Sequence, residues 1–238
     1  MISSIVNLVI RKVKNTPDYK LDEQLTSSVI LSILFERLFA FIRGSLFQLI
    51  RFRKPVCLFK SKRVDIKYSS MLKLNGTVTI GADVTLECLG KEGIELGKNV
   101  NIPNGCFIRC TGVISSLGQG IKIGNNTGLG HNTFINGQGG VTIGDDVIVG
   151  PYVKLLSENH VFSDTNTPIR TQGVTRQGIT IKSDVWIGAN VTILDGVTIG
   201  KGCVIGAGSI VSKSIPEFSI AVGVPCRVIK TRENNFNE

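Results

Sequence analysis

From Ile181 onward, aliphatic side chains return at every sixth position: Ile181, Ile187, Ile193, Ile199, Ile205 and Val211. Two places before each stands a second apolar or small residue, namely Ile179, Val185, Val191, Val197, Cys203 and Ser209. Glycine follows the aliphatic at Gly188, Gly200 and Gly206. Shorter stretches upstream keep the same phase, as in Val78/Ile80 with Val84/Leu86, Ile94/Leu96 with Val100/Ile102, and Val141/Ile143 with Val147/Val149 and Val153/Leu155. A helix would repeat every ~3.6 residues and a two-faced strand every ~2, so neither fits. A period of six, with Gly, Asn and Asp between the apolar pairs, predicts very short strands that each form one side of a coil in a stacked, all-β solenoid. Each aliphatic then lies over its equivalent in the coil below, and backbone hydrogen bonds run between coils as in a parallel sheet. Gly, Asn and Asp suit the corners, where positive φ is often needed. No single coil buries its own apolar face, so such a stack is cooperative and needs caps.

The pattern is missing before residue 76, where a different periodicity takes over. Ile30, Ile33, Leu34, Leu38, Phe41, Ile42, Leu46 and Leu49 recur at helical spacing, widened by Phe35, Phe39 and Phe47. The spacing predicts a helix over 28–52, capped by Ser27 or Ser28 and stopped before Pro55. A weaker stripe runs through Ile2, Ile5, Val6, Val9, Ile10 and Val13, with Arg11, Lys12 and Lys14 beside it. Arg51, Arg53 and Lys54 follow the main helix. Two readings stay open: a helical cap packed on the solenoid or on another subunit, or an interfacial helix held on anionic lipid by apolar insertion and basic attraction. The division expected is 1–75 as a basic, amphipathic helical region, 76–230 as the solenoid with an excursion over 156–178, and 231–238 as a tail.

Charge and composition sharpen this division. Of 27 glycines only Gly44 precedes residue 76. Residues 1–75 carry 14 Lys/Arg against 5 Asp/Glu, and 76–238 carry 13 against 13, so the formal net charge of +9 sits in the first third. A uniformly basic nucleic-acid binder is therefore excluded, and no nucleic-acid partner is expected. The apolar run from Val29 to Ile50 is broken by Glu36, Arg37 and Arg43, so it is not a simple bilayer span. No basic region followed by an apolar core and a cleavage site marks a secretory signal. Six cysteines show no CxxC pair and only two histidines accompany them, so no metal is expected and reduced, cytoplasmic thiols are. Cys203 falls on an inward repeat position and reads as a core thiol.

The repeat also stops between Leu155 and Ile179, where an excursion from a rigid scaffold can display functional groups. It contains His160, with Glu158 and Asp164 nearby in sequence as carboxylates able to fix its tautomer. An imidazole with a pKa of about 6.5 can take a proton from an alcohol. On composition alone, a lone loop histidine is more often a solvated side chain. His131, in GLGHNTFIN, lies near a coil corner, where a structural role competes with a functional one.

The stretch DVWIGANVTILDGVTIGKGCVIGAGSIVSKSIPEFSIAVGVPCRVIK, from Asp184 to Lys230, resembles the hexapeptide-repeat acyltransferases. The likeness covers about residues 76–230 and is greatest to the galactoside, maltose and polysaccharide O-acetyltransferase group. It implies a left-handed parallel β-helix, a hand that general crossover statistics would not favour. It also implies acetyl-CoA as donor, a sugar or glycan hydroxyl as acceptor, and a homotrimer with active sites between neighbouring solenoids. His160 stands where such enzymes carry their general base. A gapless alignment on IGNN and VTIG puts Gly130 where relatives place an acceptor-positioning Asn, leaving His131 and Asn132 as substrate-lining candidates. By the same resemblance Trp186 walls the site; from the general chemistry of acyl transfer, an amide near Gly188 and Ala189 is the candidate donor to the oxyanion. Ala189 and Ala207 line the pantetheine groove. Ser212, Lys213 and Arg227 hold the phosphates and adenine, and Lys230 stands where relatives may carry Arg, keeping the charge without the bidentate fork. Cys226, beside Arg227, has no histidine to activate it, so direct transfer in a ternary complex is expected rather than an acyl-cysteine. The expected location is cytoplasmic, with residues 28–54 a candidate peripheral contact at the inner face of the membrane. Alternatives are N-acetyl transfer to an amino sugar or nucleotide sugar, and a non-catalytic solenoid for binding or scaffolding. A three-histidine zinc enzyme is opposed by the histidine count.

Overall fold

The computed structural model describes residues 6, 7, 11, 18–51 and 55–232. The weaker stripe over 2–14 apart from Val6 and Arg11, as well as Arg53, Lys54 and residues 233–238, lie outside the described residues.

Short parallel strands build a three-sided β-helix. One coil runs from Val78–Ile80 on the first face through Thr85–Glu87 on the second to Gly93–Leu96 on the third. Each strand pairs in register with its equivalents in the coils on either side. The six aliphatics of the strict repeat land on successive faces: Ile181 on the third, Ile187 on the first, Ile193 on the second, and so on around to Val211. All six are buried, and they stack into columns such as Ile108–Ile135–Leu155–Ile193–Val211. Burying each such side chain is worth about 1.5–3 kcal/mol, which is why the six-residue spacing dictates the fold.

The corners follow equally regular rules. Corner I joins the first face to the second, corner II the second to the third, and corner III the third to the first. At corner I the left-handed conformation falls on Asp83, Asn132, Tyr152 and Asn190, with φ between 56° and 61°. At corner III it falls on Asn99, Asn126, Asp146 and Asp184. There the side chains also form a ladder, Asn99 Nδ2 donating to Asn126 Oδ1 (3.2 Å) and Asn126 Nδ2 to Asp146 Oδ1 (3.0 Å). Short polar side chains tolerate the left-handed region and bond along the stack, which explains their recurrence. Corner II is where the chain departs from the solenoid, over 110–120 and again over 157–178. Ile193 pairs with Val211, 18 residues on, but with Leu155, 38 residues back, and the difference is the second excursion.

The stack starts at Leu58, ahead of the boundary expected at residue 76. Leu58–Lys60, Asp65–Lys67 and Leu72–Leu74 form a first coil. Arg63 and Tyr68 take the left-handed corner positions there without glycine, so the coil carries no recognisable repeat signature. At the other end Ser219–Val222 and Arg227–Thr231 close the first face as an antiparallel hairpin.

The helix α1 spans Ser27–Ile50, two residues shorter than expected at its C-terminal end, and Thr26 rather than Ser27 or Ser28 caps it by accepting from the Val29 amide. It packs on the edge strand Leu58–Lys60, with Ala40, Gly44 and Gln48 buried on that side. Gly44 is required there, because a Cβ would collide with the Leu58 carbonyl. Gln48 bridges to both the amide and the carbonyl of Val56 (2.9 and 3.1 Å). No helix of the described residues is long and apolar enough to cross a membrane.

Candidate active site

The excursion at corner II is a seated hairpin, anchored on both sides. On the outgoing side Ser157 is fully buried, its hydroxyl donating to the Asn136 carbonyl (2.6 Å) and accepting from the Gly139 amide (3.0 Å). Glu158 Oε2 accepts from Gln138 Nε2 (2.6 Å) and Arg176 Nε (2.7 Å). This ion pair is largely shielded, the side chains being 14% and 20% exposed, and Arg176 also donates to Ser116 Oγ (2.9 Å) in the neighbouring excursion. On the returning side the amides of Gln177 and Gly178 both donate to the Asp195 carboxylate. Between these anchors Asn159–His160 pairs antiparallel with Val174–Thr175, placing His160 opposite Val174.

His160 is exposed, and its imidazole makes no hydrogen bond among the described residues. Neither expected orienting carboxylate reaches it. Glu158 is spent on Arg176 and Gln138, while Asp164 closes the tip by accepting from the Asn166 amide (2.9 Å) and Thr167 Oγ1 (2.6 Å). Those bonds, the Thr167 hydroxyl first, hold the Asp164 carboxyl below its ordinary range.

The other predicted residues occupy different parts of the coil. His131 and Asn132 sit at corner I, where the Asn132 amide donates to Asn104 O (3.1 Å) and the His131 carbonyl accepts from Tyr152 N (2.8 Å). Their backbones serve the corner stack, and their side chains are exposed. Ala189 and Ala207 stack at the same corner, two and three coils further along. A Cβ on Gly188 would lie 2.5 Å from the Ala207 amide nitrogen, so this glycine permits the close approach of coils. The Gly188 amide donates to Ile205 O (2.8 Å) and is occupied, whereas the Ala189 amide makes no hydrogen bond among the described residues. Trp186 points outward from the first face between Ile148 and Val204, 55% exposed. Ser212 and Lys213 lie at corner II of the last coil, and Arg227 and Lys230 lie on the closing hairpin, all exposed.

Burial raises the thiol of Cys226, as it does that of Cys203, and pushes Cys106 up to about 11 and Cys110 up to about 12. All six cysteines are free. Among the described residues no group of His, Cys, Asp and Glu could hold a metal ion. Sequence spacing gives no hint of Gln138, Ser157, Arg176 or Asp195, which seat the hairpin. Nor does it single out Arg109 and Asn136, paired in register on the second face, whose Nε and Oδ1 are buried without hydrogen bonds. A groove of about 300 Å³ lined by α1 and the first face, including Arg37, Phe59 and Asn104, involves none of these residues.

Fold and excursion together define a left-handed parallel β-helix carrying a histidine hairpin. The family profile described as bacterial transferase hexapeptide (six repeats) matches residues 178–213, and that of the hexapeptide repeat of succinyl-transferase matches 77–110 and 120–150. A galactoside O-acetyltransferase of Lactococcus lactis is 32% identical over 66% of this chain and 72% of its own. The galactoside O-acetyltransferase of Escherichia coli is 45% identical over 50% of this chain and 57% of its own. Among solved structures, a single-site mutant of the Bacillus cereus N-acyltransferase AntD, in complex with dTDP and coenzyme A, superposes with a TM-score of 0.56. It is 26% identical, over 68% of this chain and 84% of that one. The chain belongs to the hexapeptide-repeat transferase family. It spans about half the length of the first curated relatives it matches.

Proposed function

We propose that the protein is an acetyl-CoA-dependent O-acetyltransferase acting on a hydroxyl of a sugar or glycan intermediate. One observation carries the reading: a histidine with an unengaged imidazole, displayed on a hairpin whose two ends are fixed to the solenoid. The names of the galactoside relatives supply the acceptor class. In this reading His160 takes the hydroxyl proton as the oxygen attacks the thioester carbonyl. The developing oxyanion faces the Ala189 amide, the member of the Gly188/Ala189 pair left free by the ladder. Collapse breaks the carbon–sulfur bond, the imidazolium returns its proton to the departing CoA sulfur, and the acetyl ester leaves. Transfer is direct, since the buried Cys226 thiol is held in its protonated form.

His160 leaves from corner II, whereas Trp186, Ala189 and Ala207 belong to the first face and corner I. A site that uses both sets is completed by a neighbouring copy, in keeping with a homotrimer whose hairpins face the next chain. Ser212, Lys213, Arg227 and Lys230 then hold the phosphates and adenine of the donor. A cytoplasmic location follows from the use of acetyl-CoA. Transfer to an amine is the second reading, favoured by the N-acyltransferase named for the solved neighbour.

Acetyl transfer to matched sugars and nucleotide sugars bearing hydroxyl or amino groups tests both. His160→Ala is expected to lower kcat by about 10²–10⁴ with the acetyl-CoA Kd unchanged. Full transfer by that variant would remove His160 as the base, and selective transfer to amines would replace the O-acetyl reading.

A further inference from the structure

The helix α1 is apolar on two opposite sides, and the β-helix covers only one. On the covered side Ala40 and Gly44 are buried, Gly44 against the Leu58 carbonyl. Both helix arginines turn toward the β-helix as well, Arg43 Nε donating to Lys60 O (3.0 Å) and Arg37 lying over the Phe59 ring at 5.5 Å. On the other side Leu31, Phe35, Leu38, Ile42, Leu46 and Leu49 recur at three- and four-residue spacing and are 41–72% exposed. No charged residue interrupts that stripe; Glu36 lies beside it, in the groove with Ile33 and Arg37. At about 1.5 Å per residue the helix is about 36 Å long. A helix apolar all round is ordinarily a covered one, and an exposed apolar stripe of this length marks an interaction surface.

We infer that the outer side of α1 lies in the interface of an anionic lipid membrane, parallel to its plane. Charge selects lipid over a second copy of the chain. The whole formal charge of +9 belongs to residues 1–75. Arg51, Lys60, Lys62 and Lys73 form no ion pair among the described residues, and all lie on α1's end or on the first coil beneath it. Two copies joined through the stripe would bring together two regions that each carry 14 Lys/Arg against 5 Asp/Glu, whereas an anionic surface neutralises them. Arg53 and Lys54, outside the described residues, follow the stripe in sequence and add to the basic charge of this region. The arrangement differs from the simple amphipathic picture, because the helix's own arginines hold it to the β-helix and the flanking residues provide the attraction. Such an anchor would keep the solenoid at the membrane surface without a span.

Flotation of the full chain with phosphatidylcholine vesicles, with and without phosphatidylglycerol, tests this without any assay of transfer. Binding to the phosphatidylglycerol vesicles is expected, about tenfold weaker with phosphatidylcholine alone or in about 1 M salt. Leu38→Glu combined with Ile42→Glu, both at exposed positions, should reduce binding at least about tenfold while leaving the unfolding temperature unchanged. If that variant fails to fold, the lipid and salt dependence of the unaltered chain decides. Absence of flotation with phosphatidylglycerol, or equal flotation of a folded double variant, would overturn the inference. A change in oligomeric state by light scattering, with flotation unchanged, would assign the stripe to a second copy instead.

Discussion

The two carboxylates near His160 illustrate how little sequence proximity says about contact. Glu158 is two residues away, yet its carboxylate points into the solenoid corner toward Gln138 and Arg176. Asp164 is four away and organises the hairpin tip. The cysteines give the clearest residue-level consequence. Unfolded thiols titrate at about 8.5, whereas burial holds Cys106 at about 11 and Cys110 at about 12. The folded state therefore keeps its thiol protons over a range in which the unfolded chain has lost them. Stability from this source is complete below about pH 8.5 and declines as pH rises toward the folded values. Denaturant midpoints between pH 8 and 11 should fall accordingly, with a shallower slope for Cys110→Ala. An unchanged slope would mean that other groups govern the alkaline limb.

At the scale of elements, the hairpin is only as precise as its seat. Removing Arg176 leaves the shielded Glu158 carboxylate without its cation, a change that costs about 3–5 kcal/mol in a fully buried pair and less here, where both side chains keep some solvent. Arg176→Met should therefore destabilise by about 2–3 kcal/mol and free the excursion, detectable as faster amide exchange over Asn159–His160 with the coil strands still protected. Protection unchanged in the hairpin would show that Ser157 and Asp195 suffice. The strands from Ile179 to Val211 are legible in the sequence because every corner there is short and the inward position never slips. The first coil is not, since Arg63 and Tyr68 take corners that most other coils signal by Asn, Asp or Gly. The existence of the excursion and its histidine are legible from the gap in the repeat. Its anchors are not, because Arg176 reaches residues 18 and 60 positions away and no spacing rule encodes that.

At the scale of the molecule, the solenoid distributes the candidate functional groups by corner and by end. The histidine hairpin leaves corner II, the free amide of Ala189 lies at corner I, and the uncovered apolar helix and the excess positive charge share the first-coil end. This separation follows from a stack in which each face and corner is a column, so groups on different corners lie on different sides of the solenoid. The measurement that tests the central claim most directly is thermal unfolding of the full chain with and without acetyl-CoA. A ligand at a hundredfold excess over Kd stabilises the native state by about 2.7 kcal/mol, which for a chain of this size raises Tm by about 5–10 °C. The account predicts that rise for the unaltered protein and for His160→Ala, and a smaller one when Lys213 and Arg227 are both changed to Ala. No shift at millimolar acetyl-CoA would contradict it.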